Sequence, residues 1–112
     1  MKHRAPAILI AFLGLGLCAQ EGPKVIPITA KRFEFSPREV HLKKGEKVTL
    51  VLKSGDVTHG LFCRGLKLDE DIDPGRETRV EVTPGQEGQF VAICNHFCGG
   101  GHAGMKMTFV VD

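Results

Sequence analysis

No stretch of the 112-residue sequence reaches the ~20 consecutive apolar residues that span a bilayer. A multi-pass membrane protein is therefore excluded. Tryptophan and tyrosine are absent, and all seven aromatic residues are phenylalanine. No basic run occurs in the body of the chain, so the electrostatic footprint of a nucleic-acid binder is missing. Neither a long disordered tail nor a collagen-like repeat fits a composition with 42% hydrophobic and 25% charged residues. What is present is glycine (14) and proline (6), a supply that favours short elements joined by tight turns.

The amino terminus reads as a leader. Lys2-His3-Arg4 is basic, Ala5 to Gln20 carries no charge with its apolar part at Ala7–Leu17, and Glu21 is the next charge. A basic start, a short apolar middle and small residues near a cut site form the layout of a secretory signal. Two cut sites compete. Leu15-Gly16-Leu17-Cys18 resembles a lipobox, which would make Cys18 a lipid anchor, although Leu17 is large for that position. Cleavage after Ala19 is the rival. The expected organisation is a signal peptide at 1–19 and one extracytoplasmic domain at 20–112. The location is the periplasm or the outer face of the cytoplasmic membrane. Without Lys2 and Arg4, 13 basic residues face 13 acidic ones, a net charge of zero with histidine neutral.

The rest of the chain predicts strands and no helix. Lys24–Thr29 holds β-branched residues around Pro27 and suits a sheet edge. Phe33–Phe35 and Glu39–Leu42 alternate around a Ser36-Pro37 turn. Lys47–Lys53 puts Val48, Leu50 and Leu52 on one face. Gly60–Cys63, Glu77–Val82, Gln89–Ile93 and Lys106–Val111 follow, the last with Met107, Phe109 and Val111 inward. Asp69–Asp73 reads as an acidic loop ending at Pro74-Gly75. Seven or eight short, mostly antiparallel strands at this spacing predict an all-β Greek-key sandwich or barrel. So small a domain buries a modest core, and a metal or disulfide would add stability.

The chemistry concentrates in Cys94-Asn95-His96-Phe97-Cys98-Gly99-Gly100-Gly101-His102-Ala103-Gly104-Met105. Two thiols, a histidine and a thioether fall within twelve residues, in a glycine-rich loop between two strands. His59 lies in another turn. Two thiolates, two imidazoles and one thioether form a donor set that suits copper. The residues alone leave alternatives open: a Cys94–Cys98 disulfide, a zinc site of Cys94, Cys98, His102 and His59, and Met105 as core filler.

The spacing Cys-x3-Cys-x3-His-x2-Met resembles the dinuclear copper A loop of cytochrome c oxidase subunit II, and that of nitrous oxide reductase. Asp56-Val57-Thr58-His59 resembles the first histidine segment of that family, and Asp73-Pro74-Gly75-Arg76 its following turn. Phe35-Ser36-Pro37 and Lys44-Gly45 are similar to cupredoxin segments. The resemblance implies a cupredoxin fold holding two copper ions in one mixed-valence centre. Cys94 and Cys98 would bridge them, His59 and His102 would each cap one, and Met105 would ligate weakly. His96, standing where the family has Glu, would contribute its backbone carbonyl. A second cysteine would be surplus in a mononuclear blue site. Two thiolates can share one unpaired electron over two ions, and small bond changes then make transfer fast. A centre filled by protein ligands leaves no position for substrate, which argues against catalysis by the copper itself.

The implied function is single-electron transfer between a donor such as a c-type cytochrome and a terminal oxidase or reductase, with an oxidase core subunit as one candidate partner. Delivery, storage or sensing of copper with the same ligands is the alternative. The sequence departs from the family in its single short leader, in lacking the Trp used for electron entry, and in His96. Cys63 reads as a buried thiol acting as a small hydrophobe, and His41 as a surface side chain. Asp69-Glu70-Asp71 with Asp73 reads as a solvated loop, or as a docking patch for a basic partner.

Overall fold

The computed structural model describes residues 24–112. The signal segment, Cys18 and both cut sites lie outside them. Nine strands form two sheets: β1 (Lys24–Lys31), β2 (Glu34–Ser36), β3 (Glu39–Leu42), β4 (Val48–Ser54), β5 (His59–Cys63), β6 (Leu68–Ile72), β7 (Thr78–Val82), β8 (Gly88–Ile93) and β9 (Lys106–Val111). Among the described residues the helical content is two three-residue 3-10 turns, Arg64–Leu66 and His102–Gly104, neither of which could cross a membrane.

One sheet runs β2-β1-β4-β7 and the other β3-β9-β8-β5-β6. Two pairings are parallel, β1 with β4 and β3 with β9; the others are antiparallel. Period-2 alternation generates the core between the sheets. Ile28 and Ala30, then Val48, Leu50 and Leu52, then Met107, Phe109 and Val111 all point inward and are buried. Pro27 is tolerated because β2 pairs only with Thr29–Lys31, which leaves the β1 flank open at the residue that cannot donate.

The acidic stretch is a strand rather than a loop. In β6, Leu68 and Ile72 are buried while Asp69 and Asp71 face solvent. The inward alternation was masked by three consecutive acids, and it raises the strand count to nine. β6 is also a sheet edge, where outward charge discourages pairing with another chain.

Strand directions bring four connections to one end: 32–33, 55–58, 73–77 and the long loop 94–105 between β8 and β9. That end carries the sequence-predicted ligands.

Candidate metal centre

The long loop is closed at its neck by the Cys94 N–H, which donates to the Met105 carbonyl at 3.1 Å. Inside it, the His102 N–H donates to the Gly99 carbonyl at 3.1 Å, starting the turn that presents His102. Gly99 has φ +140°, a region that favours glycine. A Cβ on Gly101 would lie 2.6 Å from the Phe33 ring, so the glycine run lies flat on that ring. On the other flank Asn95 sits over Gly60, where a Cβ would meet its Oδ1 at 2.1 Å. Asn95 also donates to Asp69 Oδ1 at 3.1 Å.

The predicted donors converge. Cys94 Sγ and Cys98 Sγ are 3.8 Å apart. His59 Nδ1 is 3.9 Å from Cys94 Sγ, and His102 Nδ1 is 3.7 Å from Cys98 Sγ. Met105 Sδ is 3.7 Å from Cys98 Sγ, and the His96 carbonyl oxygen is 3.2 Å from Cys94 Sγ. A disulfide needs sulfurs at about 2.05 Å; both cysteines are free thiols. Bonds of about 2.0–2.3 Å connect first-row ions to imidazole nitrogen and thiolate. Each of these separations is shorter than two such bonds, so ions fit between neighbouring donors. The set is dominated by soft sulfur and imidazole, which suits copper. His59, Cys94, Cys98 and Met105 are buried, while His102 is half-buried.

Hydrogen bonds outside the donors orient them. His59 Nε2 lies 2.7 Å from Asp56 Oδ1. With Nε2–H donating to that carboxylate, Nδ1 keeps its lone pair toward Cys94. Asp56 also accepts the backbone N–H groups of Val57 at 2.7 Å and Arg32 at 2.9 Å. Burial pushes the Asp56 carboxyl up, but the bonds from Arg32, His59 and Val57 outweigh it and hold it down at about 2. Burial pushes the Cys98 thiol up to about 11, and the adjacent Cys94 adds to the rise. The thiol form therefore dominates without metal, and ion binding must release its proton. The Gly60 N–H, 3.5 Å from Cys94 Sγ, is placed to stabilise the thiolate that results.

The other residues singled out in the sequence do not join the centre. The His96 side chain is exposed, with Nδ1 3.1 Å from the Phe97 carbonyl. Cys63 is buried on β5, and burial raises its thiol as well. His41 is exposed and lies 2.7 Å from Glu39. Asp73 meets Thr58 and Arg76, both at 3.0 Å. Sequence reasoning missed three contributors: Asp56 as the partner of His59, Arg32, and Phe97. Asp56 had a signal in its three-residue spacing from His59. Arg32 had none, because its contact spans 66 residues.

A two-sheet β fold with a soft-donor loop between its last two strands defines a copper-binding class. The cupredoxin-like domain family model matches residues 5–111, and the chain belongs to that family. Within it, the chain is 31% identical over 94 residues to cytochrome c oxidase subunit 2 of Thermus thermophilus, covering 82% of this chain and 70% of the relative. Two longer oxidase subunits are spanned to 56% and 33% of their length. Nitrous-oxide reductase of Cupriavidus necator is 34% identical over 98 residues, 83% of this chain but 15% of that protein. The periplasmic domain of subunit II of cytochrome oxidase from Bradyrhizobium japonicum superimposes with a TM-score of 0.74 at 19% identity, covering 82% of this chain and 86% of that one, which confirms the fold.

Proposed function

We propose that the protein is an extracytoplasmic electron-transfer domain whose loop holds a dinuclear copper centre. The observation that carries this reading is the row of donors His59, Cys94, Cys98 and His102, with neighbours 3.7–3.9 Å apart and the two thiols in the middle. Each sulfur has its own imidazole. The His96 carbonyl stands beside Cys94 and the Met105 thioether beside Cys98, so the donors divide into two sets. An ion held by one set alone would leave the other set unused.

Bound copper supplies a one-electron couple. The chain supplies the rest. Cys94 and Cys98 would bridge, His59 and His102 would cap, and Met105 and the His96 carbonyl would complete the two ends. Asp56 fixes the tautomer of His59. The buried Met105 and Cys94 keep water from the inner side. Half-buried His102 reaches toward the surface and touches the ring of Phe97, which is 72% exposed. The ring centroids are 5.5 Å apart. Phe97 and His102 thus form the short side of the site, where a c-type cytochrome or an oxidase core subunit would exchange an electron. The signal reading of 1–19 and the oxidase relatives support a periplasmic setting, with the domain at 20–112.

Copper reconstitution of the mature chain tests this, with metal counted per chain and the EPR spectrum recorded. Two coppers and hyperfine structure from two equivalent nuclei are expected. One copper with a single-nucleus pattern overturns the dinuclear reading and favours copper handling.

A further inference from the structure

Arg32 sits at the turn between β1 and β2, far in sequence from every predicted ligand. Its side chain Nε donates to the backbone carbonyl of Cys98 at 2.8 Å. Its own backbone N–H donates to Asp56 Oδ2 at 2.9 Å. Asp56 in turn uses Oδ1 to hold His59 Nε2 at 2.7 Å. One residue is therefore bonded to the loop that carries Cys98 and, through one carboxylate, to the imidazole of His59. The next residue, Phe33, is the ring on which Gly99 and Gly101 lie.

We propose that Arg32 is a positioning residue that clasps the two ligand-bearing loops and fixes Cys98 and His59 in register before any metal arrives. The proposal rests on the reading of Cys98 and His59 as ligands. The physical case is simple. Loops rich in glycine have many conformations to lose. The 94–105 loop includes four glycines, and its neck bond from Cys94 to Met105 does not constrain the middle. A charged donor makes a stronger hydrogen bond to a carbonyl than a neutral one, and this bond falls on the residue whose sulfur is central to the donor row. The guanidinium also places a positive charge beside Cys98. That charge favours the electron-rich, reduced state of any redox metal held there.

The clasp can be tested without copper. In reduced, metal-free protein, alkylation of Cys94 and Cys98 by iodoacetamide is followed site by site by mass spectrometry, with buried Cys63 as internal reference. Arg32→Met removes the donor and the charge. It is expected to raise labelling of Cys94 and Cys98 at least tenfold while Cys63 stays protected. Arg32→Gln keeps an N–H donor the same number of bonds from Cα as Nε, and is expected to label like the wild type. Unchanged labelling in Arg32→Met, or equal exposure of Cys63, overturns the clasp. So does Arg32→Gln behaving like Arg32→Met. In copper-loaded protein the reduction potential is expected to fall in both variants and to return in Arg32→Lys; a potential indifferent to all three overturns the electrostatic part. Failure to bind copper would sink the functional reading yet leave the labelling result intact.

Discussion

Cys63 and the Cys94–Cys98 pair are nearly equally hidden from solvent, at 0%, 3% and 4% exposure. Their surroundings differ completely. Cys63 lies on the inner face of β5 opposite Leu68, in the packed core between the sheets. Cys94 and Cys98 also touch that core, but on their other side they face two imidazoles, a thioether and a carbonyl. Burial alone thus makes a cysteine inert. What turns a buried thiol into a ligand is the company of other donors, and that company is assembled by loops.

The comparison can be broken most severely at Cys98. Cys98→Ser is expected to abolish the dinuclear signal, because the middle of the donor row is lost; EPR of the reconstituted variant checks it. Asp56→Ala comes next. Losing the hydrogen bond that orients His59 is expected to weaken metal affinity about 10–100-fold, measured by competition with a chelator. The same carboxylate gives a pH signature in the metal-free protein. Its folded pKa is held down to about 2, so its stabilisation is complete above about pH 4 and drains away as pH falls toward 2. Acid unfolding followed by circular dichroism should show that loss in wild type and lack it in Asp56→Ala.

Smaller effects sharpen the contrast. Cys63→Ala is expected to cost on the order of 1 kcal/mol in denaturant unfolding, the common scale for a truncated core residue. It should leave copper count and EPR unchanged, and an altered spectrum would tie Cys63 to the centre after all. Phe97→Ala should change stability by less than about 0.5 kcal/mol, as expected for an exposed side chain. Stopped-flow electron exchange with a c-type cytochrome should nonetheless slow, because the ring over His102 is gone.

Strands with clean alternation were legible in the sequence: Val48, Leu50 and Leu52 on β4, and Met107, Phe109 and Val111 on β9, face inward as their spacing requires. β6 was not, since Asp69, Glu70 and Asp71 hide a two-residue period whose apolar members are only Leu68 and Ile72. The donors were legible because five of them fall in one short loop, where spacing alone nearly guarantees proximity. Their supports were harder. Arg32 meets Cys98 only because β1 runs parallel to β4 and delivers its far end to the metal loop. Non-local pairing of that kind leaves no trace in local sequence.

The parallel pairing of β3 with β9 bears on the order of assembly. The strand that joins β3 to the rest of the second sheet follows every predicted donor in the chain, and the donor loop hangs between it and β8. Without Lys106–Val111, β3 would lose its strand partner and the second sheet would be left as β8-β5-β6. One strand therefore both completes a sheet and fixes the downstream end of the donor loop, so the receptacle and the second sheet are finished by the same segment.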